Sequence, residues 1–158
     1  MKILILTAFL TLMTIFVQGQ CNCETINRDD GTTVSICPTL PIAYDNTTQV
    51  GLAIGSNGHD KFVTLTVRFK AAAKDIIGDL SIRLDNNFLM TLELINAQLA
   101  YIGNSQLAQG VFLAMEADIV NFKKSEIKTI SFKLKDKLLR TFQTTSNADV
   151  LKKQLDCL

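Results

Sequence analysis

Residues 79–94 constrain the fold most strongly, because their apolar side chains alternate with polar ones on both sides of a short polar loop. The alternating apolar residues are Leu80, Ile82, Leu84, Phe88, Met90, Leu92 and Leu94. A period of two is typical of a β-strand with one buried face. The stretch therefore predicts a β-hairpin against which the rest of the chain packs.

The register of this hairpin follows from its loop. A three-residue loop over 85–87, with Asn87 in the left-handed conformation, keeps all the apolar residues on one face. The predicted partners are Leu84 with Phe88, Ile82 with Met90, and Leu80 with Leu92. A two-residue loop would instead pair Ile82 with Thr91 and mix the two faces, so the pattern favours the longer loop.

Similar alternation and turn signals predict further strands along the chain. The predicted pairs are 24–27 with 32–36, 49–54 with 61–70, 95–101 with 107–115, and 130–134 with 138–144. Asn96 is out of step with its neighbours, and we expect a β-bulge there.

Two segments change to a helical period. Residues 116–124 carry Ile119 and Phe122 on one face and end in two lysines, which suit the negative end of a helix. Residues 146–158 begin with Ser146, a good capping residue, and carry a stripe of leucines.

The sequence thus predicts an α+β fold: a single antiparallel, hairpin-rich sheet with both helices on one face. A two-sheet β-sandwich is the alternative if the helical segments are loops. The predicted core includes Ile82, Leu84, Met90, Leu92, Phe132 and Leu155.

The amino terminus has the pattern of a secretory signal peptide over 1–19. Lys2 precedes an apolar run over 3–17, and Gly19 supplies the small residue before the cleavage point. A retained membrane anchor is the alternative, but the run falls short of the about 20 residues that a bilayer core requires. A lipid-modified Cys21 would need a small residue before it, and Gln20 is not small. We therefore expect one domain over 20–158, without a transmembrane segment, in a periplasmic or secreted location.

All four cysteines, Cys21, Cys23, Cys37 and Cys157, lie beyond the signal segment. An even number in an exported chain predicts two disulfides. A bond between Cys21 and Cys23 would close a very small, strained ring, so we expect one of them to pair with Cys37 and the other with Cys157. The alternative is a thiol-redox or metal-handling site at Cys21 and Cys23.

Catalytic constellations are hard to assemble from this sequence. His59 is the only histidine, and no zinc, phosphate-binding or nucleophile motif occurs. A calcium loop at 29–31 lacks its required glutamate, because position 37 is a cysteine. The pair Asp29 and Asp30 leaves a carboxylate-dependent enzyme as an alternative. We expect no catalytic residue, no cofactor and no metal.

Charge is balanced overall but uneven along the chain. Residues 20–60 hold five acids and one base, whereas 123–140 hold seven bases and two acids. The second segment predicts a basic patch of Lys133, Lys135 and Arg140 for an acidic protein or an anionic envelope surface. Lysines that merely protect a strand from aggregation are the alternative. The balanced total gives no support for nucleic-acid binding.

The segments GLAIGSNG, DLSIRL and KQLDCL, with a signal peptide ending before Gln20-Cys21, resemble small exported proteins of unassigned function from Bacteroidota-type Gram-negative bacteria. The resemblance implies export and carries over no function. The sequence thus predicts an exported, non-catalytic binding or structural module. The alternatives are a small carboxylate-dependent envelope enzyme and a thiol-redox or metal-handling protein.

Overall fold

The computed structural model describes residues 22–103 and 105–158. The predicted signal peptide and Cys21 lie outside these residues. The strands are β1 (Glu24–Asn27), β2 (Thr33–Ile36), β3 (Leu40–Tyr44), β4 (Thr48–Ser56), β5 (Lys61–Phe69), β6 (Ile76–Leu84), β7 (Leu89–Leu92), β8 (Leu94–Ile102), β9 (Ser105–Ala114), β10 (Ile127–Leu134) and β11 (Leu139–Gln143). The helices are α1 (Glu116–Lys124) and α2 (Val150–Leu155).

The strands form two antiparallel sheets. The larger, curled sheet has the order β1-β2-β4-β5-β9-β8. Its long strand β4 pairs with β2 near one end and with β3 near the other. The smaller sheet has the order β11-β10-β6-β7. The predicted α+β architecture is therefore correct in its strands and its two short helices, whereas the prediction of a single sheet is wrong.

The single-sheet prediction fails at Glu93. The predicted hairpin extends to Leu94 within one sheet, but β7 ends at Leu92 in the smaller sheet and β8 begins at Leu94 in the larger one. The backbone oxygen of Glu93 already accepts a hydrogen bond from the larger sheet, from the N–H of Leu113 at 3.0 Å. The alternation of apolar and polar residues continues across Glu93. Alternation shows which face of a sheet a side chain occupies, and it does not show which strand lies beside it.

The central hairpin has the predicted register. Leu80 pairs with Leu92 and Ile82 with Met90. The loop closes through a hydrogen bond of 2.9 Å from the Leu84 N–H to the Phe88 oxygen, and Asn87 has φ 65°. Phe88 is the exception on the predicted buried face, because its side chain is exposed beside the loop. The bulge near Asn96 is also confirmed, by a register shift between Leu94 and Asn96.

Both sheets contribute to one hydrophobic core. Leu65 and Phe112 of the larger sheet and Ile82 and Phe132 of the smaller sheet are fully buried and belong to the same cluster. All six predicted core residues are buried. The sheets are therefore layers of one core.

The first helix has the predicted bounds, and its buried residues are Ile119 and Phe122. The second helix begins later than predicted, at Val150, and the expected Ser146 cap is wrong. The Ser146 hydroxyl instead donates to the backbone oxygen of Pro41 at 3.0 Å, which attaches this segment to β3. Helix α2 packs on β4, and α1 packs on α2.

Cys23 and Cys37 form a disulfide, as one of the predicted pairings requires. Cys157 is also disulfide-bonded. None of the helices formed by the described residues is long and apolar enough to cross a membrane.

Candidate functional site

A wide concavity of about 1060 Å³ lies at the end of the larger sheet where β5 and β8 finish and β4 and β9 start. We call it the end groove. The side chains that characterise it are Tyr44, Gln49, Arg68, Lys70, Tyr101 and Gln106. They come from five different strands or strand ends, so the curl of the sheet assembles the surface.

Both tyrosines of the chain line the end groove. Tyr44 is 66% exposed and Tyr101 is 68% exposed. The amide nitrogen of Gln106 donates a hydrogen bond to the Tyr101 hydroxyl at 3.2 Å, which fixes the direction of that ring. Exposed tyrosine rings offer an apolar face and a polar edge, the combination that is enriched at binding surfaces.

The end groove carries two exposed cations, Arg68 and Lys70. Among the ion pairs of the described residues, none involves either of them. An unpaired guanidinium and ammonium beside an apolar surface attract anionic groups, and the guanidinium adds a planar fork that fits carboxylate or phosphate.

A smaller cavity of about 210 Å³ adjoins the end groove and shares part of its lining, including Phe69 and Lys70. Its other walls include Lys74 and Arg140, and both contact Asp136, at 2.7 Å and 3.3 Å. The hydrogen bond from Lys74 is the main reason why the pKa of Asp136 lies below its usual value. These two cations are therefore already paired, unlike those of the end groove.

Asp45 is the acidic residue that lines both cavities. Partial burial by itself would raise the pKa of Asp45, but hydrogen bonds from Thr47 and Thr48 outweigh that effect and lower the pKa. The carboxylate oxygen accepts from the Thr47 N–H at 2.7 Å, the Thr47 hydroxyl at 2.9 Å and the Thr48 N–H at 2.8 Å. Its role is to hold the loop between β3 and β4, and it is poorly suited to move protons.

The structure does not bring the predicted basic patch together on one face. Lys133 is exposed on the outside of the smaller sheet, and Lys135 is exposed and lies 3.3 Å from Asp75. Arg140 is the direct partner of the buried Phe132 across the strand pair, so it projects from the opposite face to Lys133. It lines the cavity beside the end groove.

The other titratable candidates lie in turns. His59 is exposed between β4 and β5. The carboxylate of Asp30 accepts hydrogen bonds from the hydroxyl and the N–H of Thr32, and the hydroxyl bond is the main cause of its lowered pKa. Asp29 is exposed in the same turn. Both residues therefore lie in a solvated hairpin turn, away from the two cavities.

The structure also bears on the alternative of a thiol-redox or metal-handling site, through Cys23. Its sulfur is bonded to that of Cys37, whose side chain is buried, so in this state Cys23 has no thiolate with which to bind a metal. Over the residues that the structure describes, no group of three or more histidine, cysteine or acidic side chains is placed to hold a metal ion.

Sequence reasoning missed the end groove because its residues are far apart in the chain. Tyr44 and Tyr101 lie in strands on either side of the sheet's centre, and alternation gives no information about which strand ends meet. One signal was available: the chain has only two tyrosines and no tryptophan, and Tyr44 lies outside the predicted strands.

Comparisons with known proteins add no assignment. No protein-family model matches the sequence, no curated protein is similar to it, and no solved structure matches the fold.

Proposed function

We propose that this is an exported, non-catalytic binding protein that holds an acidic, chain-like ligand in the end groove. The single observation that carries the proposal is the meeting of both exposed tyrosines with two unpaired cations on one concave surface. Export rests on the disulfides and on the signal-like amino terminus.

The chemistry of the lining indicates the class of ligand. Arg68 and Lys70 would pair with carboxylate, sulfate or phosphate groups, and Tyr44 and Tyr101 would contact the flat, less polar faces between them. The amide of Gln49 can both donate and accept hydrogen bonds, which suits hydroxyl groups, whereas the amide of Gln106 is held by Tyr101 and by the Ala73 N–H. An acidic polysaccharide combines all three kinds of group.

The assignment as non-catalytic rests on Asp45. Glycoside cleavage uses two carboxyl groups, one of them with a raised pKa, on either side of the reacting bond. Among the described residues, Asp45 is the acid that lines the end groove, and its pKa is lowered by hydrogen bonds that hold its own loop.

The chain contains its own reporter for a direct test. Because it has two tyrosines and no tryptophan, its intrinsic fluorescence comes from the groove. We expect titration with polygalacturonate to change the tyrosine fluorescence, and the fully methyl-esterified, neutral polymer to change it much less. Replacing Arg68 and Lys70 together by glutamine should weaken binding roughly tenfold, since two exposed charge contacts contribute about 1 kcal/mol or less each.

The matched control replaces Lys133 and Lys135 by glutamine, which removes the same charge from the predicted patch outside the groove. We expect that variant to bind within twofold of the unchanged protein. Equal weakening by both double variants would indicate a diffuse charge effect and reject the groove as the site. New reducing ends in the polymer after incubation would reject the assignment as non-catalytic.

A further inference from the structure

Strand β8 forms one edge of the larger sheet, and it is long and uncharged. Its nine residues contain no charged side chain. The uncharged run extends through β9 to Met115, so residues 94–115 lack any Asp, Glu, Lys, Arg or His in a chain that is 20% charged. A strand edge without charge lacks the commonest protection against pairing with another chain.

The other strands at sheet edges are better protected. Strands β1 and β7 have four residues each, β3 has five and includes Pro41, and β11 has five and includes Arg140. Strand β8 has nine, and several of its large apolar side chains are exposed. These are Ile95 at 58%, Leu99 at 43%, Tyr101 at 68% and Ile102 at 60%. Of these five edge strands, β8 is the one that is built to accept a further strand.

The backbone N–H and C=O groups of β8 point in the directions that such pairing needs. Ile102 and Ser105 are partners with two residues between them, and residues that flank a two-residue hairpin loop exchange both of their backbone hydrogen bonds. The N–H and C=O groups of Ile102, Ala100 and Gln98 therefore point to β9. Those of Leu99 and Ala97 point away from the sheet, toward solvent.

We propose that β8 pairs with β8 of a second copy of this chain, antiparallel and about a twofold axis at Gln98. This arrangement joins the two larger sheets into one continuous sheet across the dimer. The predicted partners are Gln98 with Gln98, Ala97 with Leu99, and Asn96 with Ala100 of the second copy. Leu99 and Ala97, whose free backbone groups point outward, then face each other and exchange hydrogen bonds.

The sequence of β8 explains why the occupant is a second copy. When a twofold axis relates two antiparallel strands, each residue faces the residue that lies at the same distance on the other side of the axis. The two residue types must therefore be compatible. Within the straight part of the edge, Leu99 of one copy meets Ala97 of the other, and both are apolar. With no charge along the strand, two identical edges meet without repulsion. The bulge between Leu94 and Asn96 ends the straight part of the edge, so pairing is confined to residues 96–102.

Gln98 provides a specific test, because it is exposed and would lie opposite Gln98 of the second copy in the dimer. We expect the intact, disulfide-bonded protein to show a concentration-dependent monomer–dimer equilibrium in analytical ultracentrifugation. Gln98→Lys and Gln98→Glu should each raise the dimer Kd about fivefold or more, because like charges directly opposite each other destabilise a strand pair. An equimolar mixture of the two variants should restore dimers, as heterodimers of opposite charge.

Thr91→Lys is the matched control, since it adds the same charge to the exposed face of another edge strand, β7. It should leave the dimer Kd unchanged, and circular dichroism should show that every variant keeps its fold. A wild-type protein that stays monomeric up to millimolar concentration would overturn the proposal. So would open fibres in place of dimers, single variants that dimerise like the wild type, or a mixture that does not recover. None of these changes touches the ligand-binding cations, so failure here leaves the proposed function standing.

Discussion

At the scale of single residues, Gln154 has an unusual position, because it is a polar side chain with only 6% of its surface exposed. Its amide oxygen accepts a hydrogen bond of 2.9 Å from the Ile54 N–H, in the middle of the larger sheet. Its amide nitrogen donates at 2.7 Å to the backbone oxygen of Pro38, in the connector that follows Cys37. One side chain therefore links α2 to β4 and to the connector beside the disulfide.

We predict that Gln154→Ala destabilises the protein through the two backbone groups that lose their partner. Each buried group left without a hydrogen bond costs about 1–3 kcal/mol, so we expect a loss of roughly 2–5 kcal/mol in the free energy of unfolding, measured by urea denaturation. Gln143→Ala, at an exposed glutamine of β11, is the control and should stay within about 0.5 kcal/mol. If both variants unfold at the same urea concentration, the amide of Gln154 does not hold these elements together.

The role of Gln154 could not be predicted from the sequence. Leu151 and Leu155 mark the buried stripe of α2, and a glutamine beside that stripe is normally expected to face water. Its burial depends on a free backbone N–H at Ile54, which alternation does not reveal. The end groove was missed for a similar reason, since Tyr44 and Tyr101 meet only after the sheet has curled.

At the scale of elements, the β1–β2 hairpin is weakly attached to the rest of the molecule. All residues of β1 are exposed, and β2 meets β4 through two register partners, Ser35 with Ser56 and Ile36 with Gly55. The disulfide between Cys23 and Cys37 closes this hairpin on itself, and Cys37 anchors its end in the core. Val34 is the one buried residue in these two strands, so the covalent bond is the main constraint on this element.

We predict that replacing Cys23 and Cys37 together by alanine loosens this hairpin first. On the chain-entropy model, a closed loop of about 15 residues contributes roughly 3 kcal/mol to stability. Hydrogen exchange should therefore show lost amide protection in β1 and β2, while β4 and β5 remain protected. If protection instead falls equally throughout, the hairpin is part of the cooperative core and the weak attachment described above is wrong.

Hairpins were the elements that the sequence predicted best. The central register, the Asn87 turn, the bulge near Asn96 and the bounds of α1 all follow from local alternation and turn chemistry. The division into two sheets does not, because the change of sheet at Glu93 leaves the alternation intact. Pairing between distant strands, such as β5 with β9, is decided by how the whole core closes.

At the scale of the whole molecule, the two sheets depend on each other for burial. Their inner residues belong to one cluster, which also takes in Leu151 and Leu155 of α2. The smaller sheet has only four strands, and its inner face is covered by this shared core. Neither sheet could keep its apolar face away from water without the other, so we expect them to unfold together.

Leu92→Ala tests this cooperativity, because Leu92 is 1% exposed in β7 of the smaller sheet. Removing a fully buried leucine side chain should cost about 2–5 kcal/mol. If the core is shared, hydrogen exchange should show the same fall in the free energy of opening in β5 of the larger sheet as in β10 of the smaller one. Leu89→Ala is the control in the same strand, since Leu89 is 53% exposed and its loss should change stability by about 0.5 kcal/mol or less. Loss of protection confined to β6, β7, β10 and β11 would mean that the sheets open separately and that the larger sheet holds its own core.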